Sequence, residues 1–151
     1  MIKIVPDANI ILSSMLGSYG APRKLINLAL MKHIVMFGSS ETYNEFKRKI
    51  GLPKFKKYLD RQIFTPEKLT LDYRTYINII EPFDTLHGVN IVKEDPDDDM
   101  YFRVAKACGA QIIITGDKNV LKVKKFDDII VVEPRKFVEK MSLLIRNQVF
   151  S

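Results

Sequence analysis

The sequence predicts an α/β fold: a central, mostly parallel sheet of about five strands with helices on both faces. Three observations carry this expectation. Short apolar runs alternate with amphipathic helical stretches along the chain, as in parallel sheets joined by crossover helices. The runs IKIV, QIII and IIVV are apolar without alternation, as suits strands covered on both faces. Two runs also end in an acid, MIKIVPD at Asp7 and QIIITGD at Asp117, and α/β sheets place ligands at the C-terminal ends of their strands.

In chain order, residues 2–5 read as a buried strand that Pro6 and Asp7 end. Residues 9–16 read as a helix with Ile10, Ile11 and Met15 apolar, and Gly17, Gly20 and Pro22 mark a loop. A second helix covers about 23–32, with Leu25, Leu28 and Ala29 on one face and Ile26 and Leu30 beside it. Residues 34–37 form a strand, Gly38 to Ser40 turn the chain, and Ser40 is the expected N-cap of a helix over 41–50. Two helices over 53–61 and 66–80 each open on a proline; the second carries Leu69, Tyr73, Tyr76, Ile77 and Ile80 at helical spacing. After Pro82 come a strand at 89–92, a helix over 97–108, a strand at 111–115 and a short helix over 118–124. A strand at 129–132 follows, and Pro134 opens a C-terminal helix to about Asn147. No repeat, low-complexity tract or linker divides the chain.

At 151 residues, 46% hydrophobic and 28% charged, the chain is expected to fold as one globular domain spanning 1–151. Its apolar runs are far short of a membrane span, and the N-terminus lacks a secretory leader pattern, so the expected location is the cytoplasm. The lone Cys108 forms no internal disulfide and falls on an apolar helix stripe, where plain packing is expected. His33 and His87 stand far from the acidic motifs and are expected to be structural or surface residues.

The formal net charge of +6 is unevenly spread. Between Glu45 and Arg61, Lys47, Arg48, Lys49, Lys54, Lys56, Lys57 and Arg61 face only Glu45 and Asp60. Lys118, Lys122, Lys124 and Lys125 form a second basic run, whereas five acids fill six positions from Glu94 to Asp99. A basic chain with one acidic focus suits a polyanion held at a rim around a metal; the plainer reading is a solvated, lysine-rich surface.

Helix register selects among the acids at 94–99. Asp98 lies three residues before Tyr101 and extends the stripe Tyr101, Ala105, Cys108 by one turn, while Asp99 and Lys106 are expected on the wetter side. A helix cap needs one acid, and here there are five. An EF-hand loop is excluded, because Met100 and Lys106 occupy its glycine and terminal glutamate positions.

The strand ending at Asp7 in VPDANI, Glu45 in ETYNEF, Asp98 in DPDDDMYFRVAKACGA and Asp117 in IIITGDKN resemble the PIN-domain family of metal-dependent ribonucleases, over about residues 2–132. The resemblance is greatest to the VapC-like toxin components of toxin–antitoxin pairs. It implies a three-layer α/β/α fold and an acidic quartet of Asp7, Glu45, Asp98 and Asp117. Thr115 and Asn119 match supporting positions, and Asn119 is often an acid in relatives, which bears on whether a second metal binds. By periodicity alone Glu45 is a solvated residue or an ion-pair partner of Lys49, and only the resemblance selects it over Glu41. Asn9 belongs either near the site or at the N-cap of the first helix.

The implied reaction is cleavage of an RNA phosphodiester. Clustered carboxylates without His or Cys suit Mg²⁺ or Mn²⁺. Asp7, Asp98 and Asp117 are the expected ligands, Glu45 a further ligand or the group orienting the attacking water, and Thr115 a support for a carboxylate. Lys47, Lys49, Lys54 and Lys57 are the expected phosphate contacts, with affinity largely independent of base identity. The expected partners are RNA, a small antitoxin protein and a second copy of the chain. Two rival readings are a PIN scaffold that binds RNA without cutting, and a haloacid-dehalogenase-like phosphatase, which wants Asp where Asn9 stands.

Overall fold

The structure is a computed structural model and describes residues 1–17, 20–59 and 64–150. Its elements are β1 (Ile2–Pro6), α1 (Ala8–Leu16), α2 (Ala21–Leu30), β2 (Ile34–Gly38), α3 (Ser40–Ile50), α4 (Lys56–Leu59) and α5 (Pro66–Tyr76). Then follow β3 (Ile77–Ile79), α6 (Asp99–Cys108), β4 (Ile112–Ile114), α7 (Lys118–Leu121), β5 (Lys125–Phe126), β6 (Ile129–Val132) and α8 (Pro134–Phe150). Short 3-10 turns precede α4 at Pro53–Phe55 and α6 at Pro96–Asp98.

Among the described residues the strands form one six-stranded sheet in the order β3-β2-β1-β4-β6-β5, parallel except where β5 runs antiparallel to β6. The chain winds outward from β1 through β2 to β3, then crosses back to β4 on the other side of β1. The winding therefore reverses between β1 and β4, which is where α/β sheets open a crevice at their C-terminal ends. Pro6 pairs with Ile114, and the Asp7 amide donates to the Ile114 carbonyl at 2.9 Å. Asp7 and the Thr115–Asp117 segment thus leave the sheet side by side.

Side-chain alternation along the strands divides the core. Ile4, Met36 and Ile114 point toward α1, α2, α3, α5 and α8, where Leu12, Leu25, Phe46 and Tyr73 are buried. Val5, Ile113 and Val131 point the other way, against Phe102 and Val104 of α6 and Val120 of α7. Helices on both faces of a mostly parallel sheet match the expected architecture. No helix among the described residues is long and apolar enough to cross a membrane.

Several expected elements differ. Residues 89–92 are not a strand: Val92 is buried, but the Ile91 and Val92 amides donate to the Asp99 carboxylate, Val92 at 2.7 Å, instead of to a neighbouring strand. The helix expected to reach Ile80 stops at Tyr76, and Ile77 pairs with Met36 in β3. An apolar residue at 77 satisfies either period, and the β-branched run Ile77–Ile80 favours the strand. β5 was not foreseen; two residues carry no readable period, and it forms through a tight turn in which Asp127 has φ +52°. The N-cap of α3 is Ser39, not Ser40: Ser39 and Thr42 exchange side-chain and backbone hydrogen bonds as a capping box. The helix expected over 53–61 is a 3-10 turn followed by α4, and its last positions, Asp60 and Arg61, lie outside the described residues. Cys108 is half-buried at the edge of a core cluster, not within it.

Candidate functional site

Above the β1–β4 junction lies a cavity of about 160 Å³ lined by Asp7, Asn9, Glu45, Arg48, Lys49, Asp95, Asp98, Tyr101 and Asp117, among others. Each acid arrives there for a local reason. Asp7 follows β1 and caps α1, its Oδ1 accepting from the Ile10 amide at 2.8 Å. Asp117 follows β4 and caps α7, accepting from the Asn119 amide at 2.8 Å. Pro96 opens the 3-10 turn before α6, and the Asp98 amide donates to the Asp95 carbonyl at 3.1 Å. At three residues per turn, positions i and i+3 eclipse, so Asp95 and Asp98 stand on one side. Asp95, Asp98 and Asp117 each present a carboxylate oxygen, and these oxygens lie within 4.8 Å of one another.

Asp7 sits beneath this trio at 6% exposure. The Thr115 hydroxyl donates to its Oδ2, and the same hydroxyl accepts from the Asp117 amide at 3.0 Å. Thr115, itself fully buried, therefore ties the two strand-end acids together. Burial pushes the Asp7 carboxyl up; hydrogen bonds from Thr115 and Ile10 pull the other way. Asp98 is pushed up to about 7, first by burial and then by the charges of Asp95 and Asp117. Asp98 Oδ2 and Asn9 Oδ1 are buried without a hydrogen-bond partner among the described residues. A buried acceptor left unpaired is costly, which marks the cavity as incomplete without a cation or donor. The donor set is all oxygen, with no His or Cys among the lining residues, and fits a hard divalent cation.

Glu45 enters from α3 on the opposite wall. Its carboxylate accepts two hydrogen bonds from Arg48, from Nε at 3.0 Å and Nη2 at 2.6 Å, and Lys49 Nζ stands 3.7 Å away. The Arg48 contact holds the Glu45 carboxyl below the usual range. Glu45 is thus an ion-pair partner, chiefly of Arg48 and more distantly of the expected Lys49, and it lines the acidic cavity.

The structure brings together Asp7, Asn9, Glu45, Asp98, Asp117 and the supporting Thr115. Asn9 is not the cap of α1, a role Asp7 takes. Asn119 lines a neighbouring cavity and meets the site through its amide. Of the four lysines expected to contact phosphate, only Lys49 lines the acidic cavity. Lys47 lies over the Tyr43 ring at 4.7 Å, while Lys54 and Lys57 lie over Phe55 and Tyr58.

Sequence reasoning missed Asp95, Arg48 and Tyr101, and misplaced Asp99. Tyr101 read as part of an apolar stripe, yet its hydroxyl oxygen accepts from the Ala8 amide at 3.1 Å and faces the carboxylates. Burial and the nearby Asp7 charge raise its pKa, so the phenol keeps its proton. Asp99, expected to be wet, is 3% exposed and turned away from the cavity toward the Ile91 and Val92 amides. The proline before Asp97 was the available signal for the 3-10 turn that causes this rotation.

Comparison with known proteins places this arrangement. The chain is 28% identical over 152 aligned positions to an uncharacterised protein, MJ1680, of Methanocaldococcus jannaschii, covering 95% of this chain and 94% of that one. VapBC2 from Rickettsia felis, solved with a DNA fragment from its promoter, has a similar fold (TM-score 0.60, 14% identity, 87% of this chain and 98% of that one). So do PAE2754 from Pyrobaculum aerophilum (0.56, 12%, 94% and 96%) and FitAcB from Neisseria gonorrhoeae (0.52, 17%, 87% and 98%). A family model described as PIN domain matches residues 3–119, the stretch that runs from β1 through the acidic 3-10 turn to Asn119, two residues past Asp117. With the match covering most of the chain and every acid of the cavity, this protein belongs to the PIN-domain family.

Proposed function

We propose that the protein is a metal-dependent endoribonuclease whose centre is the carboxylate cavity over the β1–β4 junction. The observation that carries this reading is the convergence of Asp95, Asp98 and Asp117 above buried Asp7 in a member of the PIN-domain family. A cavity of about 160 Å³ is smaller than the roughly 300–1,000 Å³ of pockets that enclose small molecules. It suits a cation and the reacting phosphate of a polymer lying across it better than a whole small substrate, which argues against the phosphatase reading.

Asp7, Asp98 and Asp117 would hold Mg²⁺ or Mn²⁺, with Asp95 adding a fourth carboxylate. When bound, such an ion lowers the pKa of water and offsets charge on the phosphate. The chain's own residues do the rest. Thr115 fixes the Asp7 carboxylate against the Asp117 backbone amide. Glu45, held by Arg48, orients the attacking water from the opposite wall. Tyr101 anchors α6 to the start of α1 and keeps a neutral O–H beside the acids. Lys47, Lys49, Lys54 and Lys57 add attraction for the RNA backbone.

Purified protein should cut single-stranded or structured RNA in Mn²⁺ or Mg²⁺, and Asp117→Asn should lose at least a hundredfold in rate. Equal cutting in excess EDTA would rule the mechanism out. RNA binding without cutting in either metal, across several RNA pools, would favour the scaffold reading instead.

A toxin role, with a small antitoxin protein as partner, is the second reading. It is favoured by the fold likeness to VapBC2 and by the VapC-like character of the motifs. Expressed alone, this protein should arrest growth, and co-expression of its antitoxin should relieve the arrest; absence of arrest would count against the toxin role.

A further inference from the structure

A larger groove, about 390 Å³, adjoins the carboxylate cavity and shares Glu45, Arg48, Asp97 and Met100 with it. Its one wall is the polar face of α3, where Glu41, Asn44, Glu45 and Arg48 follow i, i+3, i+4, i+7 spacing. Its other wall is the 3-10 turn before α6, with Pro96 and Asp97, and α6 itself, with Met100 and Arg103. Two arginines stand in it, each held by a glutamate of α3 one turn apart. Arg48 is bound to Glu45 as described, and Arg103 Nη2 donates to Glu41 Oε2 at 2.7 Å across the groove.

A guanidinium has five N–H donors in a fixed fork. Arg48 commits two of them to Glu45 and Arg103 one to Glu41, so both present further N–H groups in a fixed orientation. A carboxylate that pins one side of a guanidinium pre-orders the other side for a second anion, with less entropy lost on binding. Glu41, Glu45 and Asp97 together outnumber the two arginines by one charge, so the groove offers directed donors and no positive field of its own. Exposed ion pairs contribute little to stability, and Glu41 is more than half exposed, so holding α3 against α6 does not by itself account for the Glu41–Arg103 pair.

The acidic cavity repels a polyanion unless cations line its approach. Among the residues lining the cavity and the groove, those cations are Arg48, Lys49 and Arg103. We propose that the α3–α6 groove is a subsite for the nucleotide next to the reacting phosphate of a single-stranded polynucleotide. Arg48 and Arg103 grip its phosphate, and Met100 and Asn44 meet its base and sugar. The inference rests on the nuclease reading for its orientation, but its test does not require cleavage.

The test compares wild type with Glu41→Gln/Arg103→Gln, which keeps the pair's summed charge while removing the guanidinium fork. Binding of a fluorescein-labelled single-stranded RNA hexamer is followed by anisotropy in Ca²⁺, with thermal melts confirming that both proteins are folded. The double variant should bind at least fivefold more weakly and lose about 0.7 from the slope of log affinity against log salt, one phosphate contact on a single strand. Arg103→Lys in the otherwise natural chain should recover only part of the loss, because a point charge lacks the fork. Wild-type affinity and slope in the double variant would overturn the subsite. Wild-type protein that binds the hexamer but never cuts RNA would sink the nuclease reading and leave the subsite standing if the double variant binds weakly; wild type that cuts RNA but does not bind the hexamer would overturn the subsite and leave the nuclease reading standing.

Discussion

Asp98 and Asp99 are adjacent in sequence and do opposite work. Asp98 belongs to the carboxylate trio, where burial and its acidic neighbours push its carboxyl up to about 7; Asp99 is buried among the amides of residues 91 and 92. The sign of the pH effect follows from the raised value. Between the ordinary carboxylate pKa of about 4 and the folded-state value near 7, the folded state binds more protons than the unfolded one. Metal-free stability therefore falls as pH rises through that window, and levels off above it. Asp98→Asn removes the titration, so in EDTA it should melt at least as high as wild type at pH 7.5 and show a flatter dependence from pH 4 to 7. Asp99→Asn should behave differently, losing about 1–3 kcal/mol because buried amides lose their full acceptor. Thermal melts in EDTA check both; a wild-type Tm that rises from pH 5 to 7.5, or a stable Asp99→Asn, would contradict the account. Asp98 was legible in the sequence because it continues an apolar stripe by one turn. Asp99 and Asp95 were not, because the register assumed an α-helix from 97, whereas Pro96 winds a 3-10 turn first and delays α6 to Asp99.

At the scale of elements, the turn between β2 and α3 sets where Glu45 stands. Gly38 ends β2, Ser39 and Thr42 cap α3, and the Thr42 hydroxyl shares a hydrogen bond with Tyr73 of α5 at 2.9 Å. A Cβ on Gly38 would lie 2.6 Å from the Tyr73 hydroxyl, 2.7 Å from the Thr42 hydroxyl and 2.9 Å from Ile77. Gly38→Ala should therefore cost about 1–3 kcal/mol through overpacking and lower the Tm by several degrees, with α3 shifted at its start. A Tm equal to wild type would show that α5 yields freely. This junction explains one misread element. Tyr73 and Ile77 fit a helical period, but Tyr73 is needed as the lid over Gly38 while Ile77 pairs with Met36, so the chain changes from helix to strand between them. The central strands, by contrast, were legible from their unbroken apolar runs. Residues 89–92, interrupted by Asn90, were also expected as a strand and proved to be a loop, because the Ile91 and Val92 amides are satisfied by the Asp99 carboxylate instead of a neighbouring strand.

At the scale of the molecule, the winding reverses between β1 and β4, and an acid follows each strand, Asp7 directly after β1 and Asp117 three residues after β4. The sheet brings Asp7 and Asp117 together, the loop before α6 adds Asp95 and Asp98, and α3 closes the cavity with Glu45, Arg48 and Lys49. The strand-end acids could be read from sequence, since a strand delivers its last residue to a fixed place. Of the cations, Lys49 was expected but Arg48 was not, because Arg48 sits in a basic stretch whose members differ only in helix register. The central claim is that the carboxylates form one cation site, and direct Mn²⁺ titration calorimetry at pH 7.5 tests it most simply. Wild type should give a saturable isotherm, and Asp117→Asn should bind at least tenfold more weakly while remaining folded by melt. No saturable binding to wild type, or equal affinity in the two proteins, would contradict it.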